Sequence, residues 1–321
     1  MDYTVDTRLD GKTVLDVLKK ELGLSHALIK HLKFAEDGIL LNGEHVTVRK
    51  KLTLGDVLSL ALEDRETPED LTPSDIPLSI LYEDEDVIVP NKPPNMPTHP
   101  SHGHYDDTLA NALAFRYAKA GIPFVFRPVN RLDRNTSGAV VIAKNRISAA
   151  FLSEALKQGE IRKTYIAVLD GVPHEAQGKI ENHMRRTDES IIVRRVCREG
   201  EEGDYALTYY TVLLSNESNS IVLASPITGR THQLRVHFAS IGCPITGDDM
   251  YGNESPLIDR HALHAAGLTL PLKSGSALDL TAPLHDDMQK LAQRLFAITE
   301  QELSALLSKG EKELKIYTNK E

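Results

Sequence analysis

Asp133 stands at the centre of the chemistry this sequence offers. It lies in RPVNRLDRNTSGAVVIAK, residues 127–144, where Arg131, Asp133 and Arg134 surround Leu132. The turn formers Asn135, Thr136, Ser137 and Gly138 then lead into the apolar run 139–143. Small and branched apolar residues in sequence suit a strand covered on both faces, and its mouth is a rigid place to hold a polar group. One use of Asp133 is local: capping the turn by accepting hydrogen bonds from the amides of residues 135–137. The alternative is chemical, since a carboxylate with a reference pKa of ~3.9 is ionised at neutral pH.

Two further side chains raise the same choice. Tyr165 falls early in an apolar strand pattern, where a tyrosine is core packing with its hydroxyl reaching a partner. Arg230 sits in the turn before a helix. The helix macrodipole does not favour a cation there, so Arg230 either faces solvent or has a carboxylate partner or an anionic ligand. Metal chemistry is not expected, because His99, His102 and His104 are loop histidines without carboxylate or cysteine partners at a zinc spacing. G-x-G-x-x-G, a Walker loop, G-x-S-x-G and the H-x-E with P-C-x-x-C of zinc deaminases are all missing, which argues against the corresponding chemistries.

These groups need elements to hold them. A chain of 321 residues, 41% apolar, suggests about two globular domains. No apolar run approaches the ~20 residues of a membrane span and MDYTVDTRLDGK carries no apolar signal segment, so a cytoplasmic protein is expected. Cys197 and Cys243 lie far apart without a C-x-x-C, which fits a reducing compartment. The net charge of −9 counts against a nucleic-acid partner unless the cations are gathered locally.

They are gathered near the start. Residues 13–22 put Val14, Leu15, Leu18 and Leu22 on one helical stripe that stops at Gly23. Ser25 caps a second helix with Leu28, Ile29 and Leu32 inward and Lys30, His31 and Lys33 outward. A hairpin through Asn42-Gly43 follows, then Arg49, Lys50 and Lys51, and a strand over 57–62. The pattern LSHALIKHLKFAEDGILLNGEHV with KKLTLGDVLSL resembles the alpha-L RNA-binding motif first described in a ribosomal small-subunit protein. The resemblance implies a small N-terminal α/β RNA-binding domain at 1–62, with Lys30, Lys33, Arg49, Lys50 and Lys51 on the RNA; the alternative is a solvated basic face. Residues 63–77, EDRETPEDLTPSDIP, read as an acidic, Pro-containing linker.

From 78 to 321 strands and helices alternate. Strands are expected over 78–82 and 87–89, broken by Pro90, then a helix capped by Asp107, the strand 139–143, and a helix over 146–158 burying Phe151, Leu152 and Leu156. Strands over 163–169, 205–214, 221–224 and 268–272 flank a polar stretch at 174–204 and a helix capped by Thr231. Two helices close the chain. The alternation suggests an α+β domain with a large mixed sheet.

Three blocks in fixed order, NRLDRNTSG, RKTYIAV and TGRTHQLRVHFASIGCPITGDDMYG, resemble the RluA-type family of pseudouridine synthases over about residues 78–285, with NKPPNMPTHP and HALHA falling where that family has similar sequence. The resemblance implies an α+β fold with a mixed, mainly antiparallel sheet and the isomerisation of uridine in RNA. The bond from base nitrogen to ribose breaks, the uracil turns, and it is rejoined through carbon 5, with no cofactor or metal. It further implies Asp133 as nucleophile, attacking the ribose or the uracil ring, with Arg230 as its guanidinium partner. Tyr165 would lie against the uracil and accept the carbon-5 proton, Arg131 would fill the gap left by the flipped nucleotide, and Leu234 would line the base pocket. Asn130, Thr136 and His99 are expected as further substrate contacts, Asn130 standing where many members carry His. The expected partner is ribosomal large-subunit RNA or tRNA, bound by a monomer away from membranes. The alternative is an RNA-binding assembly factor that keeps the fold and does no chemistry.

Overall fold

A computed structural model of the protein describes residues 1–35, 37–62 and 67–318. Residues 63–66 of the expected linker lie outside these. Packing divides the chain into two units, Met1–Val89 with His99–Arg131 and Val141–Gln158, and Pro90–Thr98 with Leu132–Val140 and Gly159–Glu321. These units cut the chain differently from the expected boundaries at 62 and 78, since residues 1–62 share the first unit with segments from beyond the linker.

The first unit opens with β1 (Asp2–Thr4), α1 (Val14–Asp16) continuing as a π-helical segment Val17–Glu21, α2 (His26–Phe34), β2 (Ile39–Leu41), β3 (Glu44–His45) and β4 (Val57–Leu60). Its sheet runs β1-β4-β2-β3, antiparallel throughout. Local chemistry explains the elements. Thr13 and Asp16 form a capping box, and Ser25 Oγ accepts from the Leu28 amide at 3.2 Å. Asn42 and Gly43 both take positive φ, as a two-residue hairpin turn requires. Val14, Leu18, Leu32, Leu58 and Leu60 fill the core, and Ile147 packs against it.

The same unit holds β5 (Ser79–Glu83), the opening of β6 (Val87–Lys92), α3 (Leu109–Lys119), and, after β7 (Ser137–Ala139) in the second unit, β8 (Ile142–Ala143) and α4 (Arg146–Lys157). Three expectations are corrected here. Thr108 caps α3 in a box with Asn111, while Asp107 instead meets His104 Nδ1 at 2.6 Å. The apolar run 139–143 is split into β7 and β8 between Val140 and Val141, whose amide is taken by Asn130 Oδ1 at 2.7 Å. In α4 Leu152 is buried but Phe151 and Leu156 are only half-buried.

Pro90 does not break its strand either. In the second unit β6 runs on to Lys92, and the Pro90 carbonyl accepts from Val140 N at 3.2 Å, a bond that needs no amide hydrogen from the proline. The remaining elements are β9 (Arg162–Asp170), β10 (Gln177–Arg186), β11 (Arg194–Val196), β12 (Asp204–Ser215), β13 (Asn219–Pro226), α5 (Gln233–Ser240), β14 (Leu263–Pro271), β15 (Ala277–Thr281), α6 (Asp286–Phe296) and α7 (Glu300–Thr318). Strands run in the order β11-β10-β12-β13-β9-β14-β7, with β15 also paired to β14 and the end of β6 paired to β7. β14 runs parallel to β7, and the other described pairs of this unit are antiparallel. The class is therefore α+β with a mixed, mainly antiparallel sheet. The polar stretch 174–204 contributes β10 and β11, which bury little beyond Ile180 and Met184. Gly138 permits the parallel contact: its φ is +115°, and a Cβ there would collide with the Ala265 backbone.

Candidate active site

Asp133 lies between buried Leu132 and β7, in a loop whose carbonyls from Leu132 to Asn135 are each held by a hydrogen bond. Thr98 Oγ1 donates to the Leu132 carbonyl at 2.8 Å. The Lys92 ammonium, fully buried, donates to the carbonyls of Pro93 (2.8 Å), Met96 (2.7 Å) and Arg134 (3.0 Å). Arg260 reaches the Asn135 carbonyl at 2.9 Å and Ser137 Oγ at 3.2 Å while its other edge pairs with Asp287 at 2.6 and 3.0 Å. Thr136 Oγ1 meets His261 Nε2, and Ser137 Oγ meets His264 Nδ1, both at 2.8 Å.

The turn itself closes through the main chain: Thr136 N donates to the Asp133 carbonyl oxygen at 3.1 Å. The Asp133 carboxylate accepts no hydrogen bond from a described residue and is 25% exposed. This decides against the local use, because capping would have spent the carboxylate.

Around it sit groups that respond to its charge. His232 Nε2 is 4.0 Å from Asp133 Oδ2. Arg235, with 5% of its side chain exposed, makes a two-pronged pair with the fully buried carboxylate of Asp248 at 2.7 and 2.6 Å, and its guanidinium stacks 4.9 Å from the Tyr251 ring centre. Although burial works against it, the Arg235 pKa is raised by Asp248 foremost and by Asp133 as well. Burial, and after it the Asp133 charge, pushes the Tyr165 hydroxyl well above the ordinary phenol range, so it is protonated at neutral pH. Burial pulls Lys92 down to about 7, with Arg260 adding to the effect and Asp133 opposing it.

The site expected from the sequence is thus partly rearranged. Asp133 and Tyr165 are brought within electrostatic reach, Thr136 holds the loop, and Leu234 is buried on α5. Arg230 is not the partner of Asp133: its Nε donates to the Tyr205 carbonyl at 3.0 Å and its Nη1 lies 4.0 Å from Asp204. The chain bends at His232, φ 57°, which takes the N-cap position of α5 in place of Thr231 without a side-chain cap, and the next arginine, Arg235, is buried. Arg235, His232 and Lys92 are the residues sequence reasoning missed. Arg235 carried a signal, an arginine between Leu234 and Val236 in a helix buried on most sides, which demands a partner such as Asp248.

Arg131, Asn130 and His99 belong to the first unit. Arg131 is exposed; His99 is half-buried, its pKa lowered by burial and then by the Arg131 charge. Asn130 spends Oδ1 on Val141 and buries Nδ2 without a partner. Lys30, Lys33, Arg49, Lys50 and Lys51 are all exposed. Among the described residues no three His, Cys, Asp or Glu side chains converge as for a metal ion, and no helix is long and apolar enough to cross a membrane.

Residues 86–240 match the family described as RNA pseudouridylate synthase. Over 273 residues the chain is 38% identical to a Bacillus subtilis protein named Uncharacterized RNA pseudouridine synthase YjbO, covering 84% of this chain and 95% of that one. The chain belongs to the RluA-type family of RNA pseudouridine synthases. It is accordingly an isomerase that modifies RNA. Ribosomal large subunit pseudouridine synthase D of Zymomonas mobilis is 38% identical over 70% of this chain and 74% of its own length. Among solved structures, Human RNA Pseudouridylate Synthase Domain Containing 4 is similar with a TM-score of 0.55 and 27% identity, over 67% of this chain and 92% of that one.

Proposed function

We propose that this synthase converts chosen uridines in structured RNA, ribosomal large-subunit RNA or tRNA, with Asp133 as the nucleophile. The observation that carries the reading is the contrast within one loop: the carbonyls of Leu132, Asp133, Arg134 and Asn135 are each held by a hydrogen bond, and the Asp133 carboxylate is unspent. An ionised carboxylate held this way can add to the ribose, expelling the uracil, or to the uracil ring. Either way it becomes an ester and loses its charge until the base is rejoined through carbon 5.

The last proton transfer falls to Tyr165. While Asp133 is a carboxylate, its charge helps keep the phenol protonated. After the base is rejoined through carbon 5, the Tyr165 oxygen can take the carbon-5 proton while passing its own to solvent. Leu234 and Thr136 would stand beside the base, Arg131 would replace the flipped nucleotide, and the exposed cations of residues 30–51 would hold the RNA backbone. His99 completes the proposed substrate contacts, while Asn130 serves them indirectly by holding the Val141 amide. Arg230, on the rim by Tyr205, suits an RNA phosphate better than the nucleophile. The names of relatives such as the Zymomonas mobilis protein support a ribosomal substrate.

The test replaces Asp133 by Asn, an amide of nearly the same shape and a poor nucleophile. Fold and RNA binding should persist and tritium release from carbon-5-labelled RNA should stop. Retained turnover would refute the assignment, and mapping pseudouridine in cells with and without the protein would name the RNA.

A further inference from the structure

The Arg194 amide donates to Tyr251 Oη at 2.9 Å, and a backbone N–H can only donate. Tyr251 therefore has its own hydrogen to give, and its other close polar neighbour is His232 Nδ1 at 2.8 Å. An Nδ1 that accepts leaves the ring hydrogen on Nε2. Nε2 is the atom 4.0 Å from Asp133 Oδ2. Building on Asp133 as the nucleophile, we infer that His232 is a positioning residue: the chain Arg194 amide, Tyr251 hydroxyl, His232 imidazole presents an N–H that fixes one Asp133 oxygen and leaves the other to attack.

Other features agree with this role. The ring is 9% exposed and meets Tyr251 edge to face, with centres 5.6 Å apart. His232 takes φ 57° at the start of α5 yet makes no side-chain cap, so the costly backbone serves to aim the ring. The charged groups facing it are Asp133, Arg235, Asp248 and Arg194, and burial prevails among these influences to lower its pKa. The ring is then neutral near pH 7.5 and lends Asp133 a hydrogen without quenching its charge. A gap of 4.0 Å exceeds a hydrogen bond, as catalytic contacts often do before substrate arrives.

Two measurements on the full chain test this. In ¹⁵N-histidine-labelled protein at pH 7.5, the ring assigned through His232→Gln should show the Nε2–H tautomer, and Tyr251→Phe should turn it into a mixture. An Nδ1–H or charged ring in the unsubstituted protein overturns the inference. In single-turnover assays His232→Leu should lose about a hundredfold in rate with unchanged RNA affinity. His232→Gln, which offers an amide N–H near the Nε2 position, should recover most of that loss. Equal rates for the parent and His232→Leu also overturn it. Failure of the parent to form pseudouridine on its RNA, or activity in Asp133→Asn, would instead strike the nucleophile assignment, while the tautomer measurement still judges the relay.

Discussion

The Lys92 ammonium lies 3.0 Å from the carbonyl of Arg134, so a wholly buried cation grips the residue that follows Asp133. Its other two hydrogens go to Pro93 and Met96. Burial favours the neutral amine, but three carbonyl acceptors need three donors, which only the ammonium has. Lys92→Met should strand the Pro93 and Met96 carbonyls, while Arg134 O keeps the Met96 amide at 3.1 Å. A loss of about 2 kcal/mol in urea denaturation is expected, together with a slower rate as the loop loosens. An unchanged midpoint would mean water replaces the ammonium without cost.

Stability should fall as pH drops toward 4.5, and the sign follows from two buried rings. His261 and His264 are held down to about 3, burial being the main cause for both. Their ordinary value in the unfolded chain is ~6.5. Between these values the unfolded chain binds more protons, so stability is lost as pH falls through that window and is unaffected by these rings above it. Each contributes up to about 1.4 kcal/mol per pH unit. His264→Gln should be less stable at pH 7.5 and should show a slope between pH 6 and 4.5 shallower by about that amount. A parallel slope would show that His264 titrates normally.

RNA affinity should depend on the cations of the N-terminal module. Deleting the module is a poor test, because Ile147 packs against its core and Thr67 Oγ1 holds the Phe124 amide at 3.0 Å. Replacing Lys30, Lys33, Arg49, Lys50 and Lys51 by Ala removes only exposed charge. The slope of log affinity against log salt should become shallower by about 0.7–0.9 for each cation that touches a phosphate. An identical slope would place the RNA elsewhere.

What the sequence made legible was whatever repeats locally. The Asn42-Gly43 hairpin and the apolar runs of β9 and β13 follow from turn chemistry and patterning. β10 escaped because Ile180 and Met184 are its only buried side chains among ten residues, so neither alternation nor an apolar run marks it. Asp133 stands out in the sequence through its neighbours in the chain, but its surroundings in space do not. The choice of Arg235 over Arg230 depends on a left-handed bend at His232, and the partner Asp248 is 13 positions on; both are set by tertiary packing. Lys92 was unreadable for the same reason, since all three of its acceptors are main-chain carbonyls that leave no pattern.

Tyr165→Phe separates the two halves of the proposed reaction. Tyr165 is buried in β9 with its aromatic face retained by Phe, so only the hydroxyl is lost and the fold should hold. If Asp133 acts first and Tyr165 last, this variant still breaks the bond between base and ribose and accumulates a rearranged base bearing its carbon-5 proton. Losing a positioned proton acceptor costs about two to four orders of magnitude in rate. RNA containing 5-fluorouridine isolates the step, because fluorine cannot leave as a proton. Single-turnover reactions should give rearranged fluorinated product with the parent and with Tyr165→Phe, and none with Asp133→Asn. Should Tyr165→Phe convert ordinary uridine at the parent rate, the hydroxyl takes no proton and Tyr165 is core packing alone.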